Sequence, residues 1–244
     1  MTNGHYVKRD RVIRVSEAPH IQPMGDSAFL VRFGEQISPE VHARVMGALR
    51  ALDEARAAWV LDLVPGYASV VVIYDALRAE PGEVQRWLEA TLPGARPEPP
   101  SHRVVQVPVW YHPSVGPDLQ PLAQEKGMAV EELIALHSAP EYLVYMLGFR
   151  PGFPFLGGLD PRLFSPRLAT PRVAVPAGSV GIGGQQTGVY PVRSPGGWRL
   201  LGRTPLRIFS PEASPPFAVS GGDRLRFVPI SEARYRELGG EVPA

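Results

Sequence analysis

The chain has 244 residues, no cysteine and a formal net charge of +1, with 44% apolar and 20% charged residues. The lack of cysteine excludes disulfides, thiolate-bound zinc, iron–sulfur clusters and cysteine nucleophiles, and the balanced charge provides no field that would attract nucleic acid or a membrane surface. No apolar run approaches the roughly 20 residues that span a bilayer, and residues 1–15 lack the apolar core of a signal peptide, so we expect a cytoplasmic protein without nucleic-acid or membrane partners.

The first hundred residues alternate between strand and helix patterns. Ser38, Pro39 and Glu40 supply an N-cap, a proline in the first helical turn and an early acidic residue, which together predict the start of a helix. Two β-branched or aromatic runs flank Pro65 and Gly66 and predict a hairpin. The full set of predicted elements comprises strands at 28–33, 59–64, 69–74 and 104–109, and helices from residue 38 and at 83–92.

This order of strand, helix, strand, strand, helix and strand is the ferredoxin-like split β-α-β pattern. The fold hosts many functions, so it carries no functional weight by itself. The proline-rich stretch at 93–101 is stiff and polar, as linkers are. We therefore predict an α+β protein with two domains, an N-terminal α+β domain at 1–95 and a second domain at 96–244.

The second half has a different texture, in which many of the 25 glycines and 28 prolines are concentrated. Two short helices are predicted at 117–126 and 130–138. Beyond Gly148, short apolar pieces are separated by proline, glycine and serine, which is typical of a closed β-barrel with long loops. These pieces lie at 173–175, 198–201, 206–209 and 225–228.

The densest segment, residues 148–160, has three phenylalanines among glycines and prolines and one cation, Arg150, near its start. A rigid loop with aromatic faces and one guanidinium group would suit a planar or carboxylate-bearing small ligand. Alternatively, its phenylalanines, Phe153 among them, plug the barrel. The residues alone favour neither interpretation.

A second glycine-rich segment has four glycines between Gly178 and Gly184, followed by Gln185, Gln186 and Thr187. Exposed N–H groups and neutral amides in such a loop could hold an anion or an amide. The segment matches neither the P-loop nor the Rossmann pattern. Glycines at structural turns are the commoner explanation.

Three further features bear on chemistry. The six histidines show no metal-ligand spacing, so no metal site is expected. His137 is the only histidine near the dense segments, and a lone helical histidine is more often packed than a base. Arg203, beside Thr204, could grip a carboxylate or phosphate, although a surface arginine is the commoner outcome. A Gly-x-Ser-x-Gly nucleophile motif is absent.

Three long stretches, at 141–159, 175–191 and 194–205, resemble the signature of the KipI/PxpB family, which comprises the B-type subunits of 5-oxoprolinase and the allophanate hydrolase subunit 1-like proteins. Shorter matches are Gly-Asp-Ser-Ala at 25–28 and Gly-Pro-Asp-Leu at 116–119, so the resemblance covers about residues 20–232. One departure is Tyr-His-Pro-Ser at 111–114, where the family usually has Tyr-Gly-Gly.

The resemblance implies a cyclophilin-like barrel for the second domain. It also implies a KipA/PxpC-like partner subunit of related fold and a third, PxpA-like subunit. Together these subunits would open the lactam of 5-oxoproline to glutamate with ATP hydrolysis. The chain has no recognisable nucleotide loop, so the ATP site of the complex is not assignable to it.

The leading hypothesis is therefore a subunit, inactive alone, of an ATP-dependent lactam hydrolase. The expected catalytic residues are His137, Arg150 and Gln186. The expected substrate-binding residues are Phe153, Gly178, Ser179, Gly183, Gln185, Tyr190, Ser194 and Arg203. One alternative is a protein inhibitor of a sensor histidine kinase, as the name KipI implies. The other is a carboxyltransferase-type subunit acting on urea or allophanate, which would require a biotin-bearing partner.

Overall fold

A computed structural model describes residues 18–242, and its first part is a four-stranded antiparallel sheet covered by two helices. The elements are β1 (His20–Pro23), β2 (Ala28–Arg32), α1 (Pro39–Glu54), β3 (Val60–Pro65), β4 (Ser69–Tyr74) and α2 (Pro81–Thr91), with a 3₁₀ turn at Leu92–Gly94. The strand order is β1-β2-β4-β3. Alternate residues of β4 point into the core, as a half-buried strand requires.

The second part is a mixed α+β unit built on a seven-stranded sheet of order β12-β9-β10-β7-β6-β13-β5. Its elements are β5 (Val104–Val109), α3 (Leu119–Glu125), α4 (Val130–Ser138), β6 (Tyr142–Leu147), β7 (Pro154–Gly157), a 3₁₀ turn (Pro161–Leu163), β8 (Arg172–Val175), β9 (Ser179–Gly183), β10 (Gln186–Val189), β11 (Ser194–Gly196), β12 (Arg199–Arg203), β13 (Arg224–Pro229) and α5 (Glu232–Glu237). Strands β8 and β11 form a separate pair.

A single bridge joins the two edges of the seven-stranded sheet. The N–H of Trp110, just after β5, donates to the carbonyl of Arg203 in β12 at 3.0 Å, and the N–H of Arg203 returns a bond at 3.1 Å. The sheet therefore closes almost completely, which removes most of its exposed edge. This nearly closed architecture is consistent with the cyclophilin-like barrel that we expected.

Helix α1 begins where the sequence predicted. The Ser38 hydroxyl accepts a hydrogen bond from the N–H of Val41 at 3.2 Å, and Pro39 occupies the first turn. The apolar stripe of α1 buries Val45 and Leu52 completely against the first sheet. The predicted hairpin and the predicted second helix also correspond to β3, β4 and α2, so the local signals of this part are confirmed.

The prediction for the last strand of the ferredoxin-like pattern is wrong. Residues Val104–Val109 do not join the first sheet but pair in parallel with β13 in the barrel. The position beside β2 is taken instead by β1, which the sequence analysis did not predict. The stiff segment at 93–101 carries the chain away from the first sheet. Strand β5 therefore joins the sheet of the barrel.

Another correction concerns residues 206–209, an apolar piece of the barrel pattern. Within the part of the chain that the structure describes, this piece forms one isolated bridge, between Phe209 and Phe217, rather than a regular strand. Prolines at 205, 211, 215 and 216 interrupt the ladder on both sides, since proline has no N–H to donate.

The two largest hydrophobic cores of the described residues are separate. The buried residues of the first lie between Phe29 and Leu92, and those of the second lie between Val107 and Phe227. The predicted boundary after residue 95 falls in the chain between them; that each part folds by itself stays a prediction. Among residues 18–242, no helix combines the length and hydropathy that a membrane crossing requires.

The carboxylate of Asp118 joins three chain segments of the barrel. It forms an ion pair with Arg172 at 2.9 Å and accepts the backbone N–H of Leu200 at 2.7 Å. The Arg172 guanidinium also donates to the carbonyl of Trp198 at 3.2 Å. Only 10% of the Asp118 side chain is exposed, so its charge depends on these partners.

Replacing Asp118 by alanine is expected to lower the free energy of unfolding by about 3 kcal/mol, because it leaves a half-buried guanidinium and a buried N–H without their acceptor. Urea denaturation at neutral pH measures the loss. The control is Glu54→Ala, which removes the fully solvated ion pair with Arg50 and should cost less than about 1 kcal/mol. Equal effects of the two variants would contradict the structural role of Asp118.

Candidate functional site

A cleft of about 550 Å³ lies between the first sheet and the barrel. Two side chains of the first part, Ile37 and Tyr67, face a wall formed by the barrel. The barrel contributes Tyr145, Gly157, Gly158, Leu159, Phe164, Arg167, Gly183, Gly184, Gln185 and Gln186. Hydrogen-bonding groups in this wall are mostly neutral, since they are hydroxyls and side-chain amides.

The two parts of the molecule meet in the cleft through Tyr67 and Gln186. Tyr67 lies in the turn between β3 and β4, and its ring packs 5.4 Å from that of Tyr145 and 5.9 Å from that of Phe155. The Gln186 side-chain amide donates a hydrogen bond to the Tyr67 oxygen. Burial is the main cause that raises the pKa of Tyr67, so the phenol stays protonated. No acceptor for its proton is found among residues 18–242, which leaves that proton for a ligand.

Arg167 is the one charged residue in the lining of the cleft. Its side chain is exposed, and none of the ion pairs or hydrogen bonds found within residues 18–242 involves its guanidinium group. Its charge helps to stabilise the ionised forms of the nearby Tyr67 and Tyr190, although burial outweighs this effect on the pKa of both. An arginine with five unused donors in a neutral cleft is suited to bind a carboxylate or phosphate.

Arg167 also lines a second cavity, of about 270 Å³, which we call the aromatic cavity. Its walls are mostly rings and small residues. They comprise Phe149, Phe153, Phe155, Pro171, Tyr190, Pro195, Gly196, Gly197 and Trp198. Arg167 therefore contributes to the lining of both cavities.

The structure brings some of the predicted site residues into these cavities. Gly183, Gln185 and Gln186 line the cleft, and Phe153 and Tyr190 line the aromatic cavity. The phenylalanine-rich segment combines the two interpretations left open by the sequence. Phe153 is 2% exposed and packs in a core cluster, yet the same ring forms a cavity wall.

The prediction of a glycine-rich loop at 178–184 is also wrong. Residues Ser179–Gly183 form the buried strand β9, which pairs with β10 and β12, so their N–H groups are used in the sheet rather than in an anion-binding nest. Gly183 gives room to Trp198, because a Cβ there would lie 2.4 Å from the indole nitrogen. Gly184, with φ of +66°, makes the turn that presents the two glutamines.

The other predicted residues line neither of these cavities. Gly178 and Arg203 line a separate depression of about 250 Å³, and the Arg203 Nε donates to a backbone carbonyl at 2.8 Å. Ser179 and Ser194 are buried, and neither hydroxyl finds a partner among the described residues. Arg150 is exposed and stacks on the neighbouring aromatic ring at 5.8 Å. A role for these residues in ligand binding stays a prediction.

His137 lies in the barrel core and does not reach the cleft. Its Nδ1 is 2.7 Å from the Tyr111 hydroxyl and its Nε2 is 2.8 Å from the Thr187 hydroxyl. Because Thr187 donates its own proton to the carbonyl of Gly181, Nε2 must be the protonated nitrogen and Tyr111 must donate to Nδ1. Burial lowers the pKa of His137 to about 3. The expected catalytic base is therefore a neutral structural residue, stacked on Phe227 at 4.6 Å.

Sequence reasoning missed Tyr67, Tyr145 and Arg167. A tyrosine after Pro65 and Gly66 is an ordinary turn residue, and no local pattern marks Arg167 as part of a site. Their positions depend on how the first sheet packs on the barrel, which no single segment encodes. No group of three or more His, Asp or Glu side chains in the described residues is arranged to hold a metal ion.

Comparison with known proteins establishes the family. Residues 19–219 match the model of the carboxyltransferase domain, subdomains C and D. The chain is 42% identical over 226 residues to the B-type subunit of 5-oxoprolinase from Bacillus subtilis, covering 88% of this chain and 94% of that protein. The chain belongs to the family of B-type 5-oxoprolinase subunits. The resemblance found in the sequence is thereby confirmed, and members with this name are subunits of a hydrolase complex.

Solved structures agree with the family. The protein TTHA0988 superposes with a TM-score of 0.75 at 40% identity; the match covers 89% of this chain but 41% of that longer chain. Urea amidolyase of K. lactis gives the same TM-score of 0.75 at 19% identity, over 90% of this chain and 15% of that one. The second likeness shows a shared fold alone.

The buried His137 predicts a specific dependence of stability on pH. Its pKa is about 3 in the folded state, against 6.5 as the ordinary value. Below pH 6.5 the unfolded chain takes up a proton that the folded chain refuses, so stability falls as pH falls, by about 1.4 kcal/mol per pH unit from this residue until about pH 3.

The variant His137→Gln retains one donor and one acceptor but does not titrate. Its unfolding free energy, measured by urea denaturation between pH 4 and 7, should fall less steeply with acid than that of the wild type. The exposed His102→Gln variant serves as the control and should keep the wild-type slope. An unchanged slope in His137→Gln would show that His137 is not held neutral.

Proposed function

We propose that this chain is the subunit of a 5-oxoprolinase complex that binds 5-oxoproline, and that the complex opens this lactam to L-glutamate with ATP hydrolysis. Membership of the family of B-type 5-oxoprolinase subunits supports the proposal. The observation that carries it is the composition of the cleft, in which one unpaired cation lies among neutral hydrogen-bonding groups. A ligand with one negative charge and one amide has the matching chemistry.

5-Oxoproline has one carboxylate and one lactam group. The Arg167 guanidinium would bind the carboxylate through paired N–H donors. The Tyr67 hydroxyl, whose oxygen already accepts from Gln186, would donate its proton to the lactam oxygen. Gln185 offers a carbonyl oxygen and an NH₂ group to the remaining polar atoms of the ring. These contacts orient the lactam and polarise its carbonyl.

The same lining explains why we expect the subunit to be inactive alone. Its polar side chains are tyrosine, glutamine and arginine, none of which changes protonation near neutral pH. An amide is too stable to open through polarisation by hydrogen bonds alone, so activation of its oxygen and a base must come from elsewhere. We propose that a KipA/PxpC-like subunit, with a PxpA-like subunit, supplies the ATP-dependent step across the open side of the cleft.

A carboxyltransferase-type role on urea or allophanate is a second candidate, which the matching family model favours by its description. Urea is a neutral amide and gives Arg167 no anion to bind. Allophanate carries a carboxylate, so only urea differs from 5-oxoproline in what it requires of this residue, and competition between urea and 5-oxoproline for the cleft distinguishes these two ligands.

The proposal predicts that glutamate forms from 5-oxoproline and ATP only when this chain is mixed with its two partner subunits. Each component alone should give the background rate, since the cleft lacks a group that ionises near neutral pH. Enzymatic detection of glutamate measures the reaction. Folded subunits that associate but form no glutamate, while binding urea in competition with 5-oxoproline, would overturn the lactam assignment.

In the assembled enzyme, Arg167→Met should raise KM for 5-oxoproline about tenfold to a hundredfold, the worth of a hydrogen-bonded charge pair. Gln186→Ala should lower kcat/KM about tenfold, because Tyr67 loses the bond that orients it. The matched controls are the exposed Arg193→Met and Gln106→Ala, which lie outside both cavities. Wild-type kinetics in both cleft variants would exclude the cleft as the substrate site.

A further inference from the structure

The aromatic cavity is built from rings that stand edge to face. Phe153 lies 5.2 Å from Tyr190 and 5.3 Å from Trp198, both at 83°, so two perpendicular walls meet at its ring. The glycines at 196 and 197 complete the lining. Such walls offer faces and edges of π systems and flat peptide planes, to which a flat ring is complementary.

Phe149 lies at the opening of this cavity, and its backbone has an unusual conformation. Its φ is +60°, and it is the one non-glycine residue with positive φ among those described. Its ring is 63% exposed and stands 5.7 Å from Phe153 at 82°. A bulky residue in the left-handed region is strained, and such strain is concentrated at ligand clamps. Burial in a core does not explain Phe149, because its ring points to solvent.

The lining of the aromatic cavity contains one charged residue. Arg167 is its only charged lining residue, and the same residue lines the cleft. Five N–H donors on two edges allow a guanidinium to contact two anions at once. A ligand in the aromatic cavity would therefore place any anionic group at Arg167.

We infer that the aromatic cavity is a second ligand site, which takes a flat aromatic ring carrying an anionic group, with the ring between Phe149, Trp198 and the glycine wall and the anion on Arg167. The cavity volume of about 270 Å³ is slightly below the roughly 300–1,000 Å³ of small-molecule sites. It accommodates the ring portion of a ligand, while the anionic portion lies outside the ring-lined part.

Occupation of both cavities would bring two ligands together at Arg167. The anion of the ring-bearing ligand would then lie beside the carboxylate of the ligand in the cleft, because both anions would contact the same guanidinium group. This consequence rests on the proposed function. The binding of the ring itself does not, so the two can be tested apart.

Trp198 provides the signal for the test, since it lines the cavity. The full chain is titrated with AMP and with benzoate, two flat rings that carry different anions, while tryptophan fluorescence is followed. Adenosine and benzamide supply the same rings without a charge. We expect saturable quenching by at least one anionic probe, and binding about tenfold weaker or more for its uncharged counterpart.

Gly197→Leu fills the cavity and should abolish this quenching or weaken binding about tenfold or more. A Cβ at Gly197 has its nearest neighbours at 3.7 Å, so Gly197→Ala should fold and retain most of the binding. Gly94→Leu is the matched control, because a Cβ there meets nothing within 4 Å. Arg167→Met should weaken binding of the anionic probe about tenfold and leave binding of its uncharged counterpart unchanged.

Three results would overturn the inference: no saturable binding of either anionic probe to the wild type, wild-type affinity in Gly197→Leu, or equal affinity for charged and uncharged rings. Urea midpoints of the variants control for folding. Calorimetric titration with 5-oxoproline reports on the cleft separately. If the wild type binds AMP but does not bind 5-oxoproline, the proposed substrate is rejected and the aromatic site is retained.

Discussion

The hydrogen bond between His42 and the carbonyl of Tyr145 is the contact on which the cleft depends. It is 2.7 Å long and joins α1 of the first part to β6 of the barrel. The carbonyl can only accept, so the His42 Nε2 carries the proton. The His42 ring also stands edge-on to the Tyr145 ring at 4.9 Å. Burial lowers the pKa of His42, which keeps the ring neutral and avoids a charge in the junction.

The two walls of the cleft come from different parts of the chain, so contacts between these parts hold them face to face. Tyr145 is held by His42 and in turn contacts Tyr67, which receives the hydrogen bond from Gln186. The N–H of Glu98 adds a second tie by donating to the carbonyl of Ala43 at 2.8 Å. The packing of these aromatic rings thus fixes the distance between the Tyr67 hydroxyl and the Gln186 side-chain amide.

Local signals in the sequence were sufficient for the elements of the first part. The cap at Ser38 and the β-branched run of β4 depend on neighbours within a few residues, and these predictions are confirmed. Pairing between distant segments was not predictable in this way. Strand β5 has the same alternation whether it joins the first sheet or the barrel, so its partner is decided by β1, which occupies the competing position.

The site was predicted in part for the same reason. Gln185 and Gln186 follow a run of glycines and belong to one segment, so their proximity could be seen in the sequence. The segment that could have held an anion is instead the buried strand β9, because glycine has two uses that composition does not separate. A glycine can expose N–H groups in a loop, or it can leave space in a sheet, as Gly183 does for Trp198.

This double use of glycine also explains why the family signature and the ligand-contacting groups coincide only partly. Strand β9 buries all five of its residues, and its glycines bring the ring of Trp198 against the backbone. The indole that fits into this space then forms a wall of the aromatic cavity. A side chain larger than hydrogen at Gly183 would push Trp198 outward and reshape a cavity that Gly183 does not itself line. Residues of the signature therefore set the shape of both cavities, while the charge that distinguishes one ligand from another comes from Arg167, outside the three matching stretches.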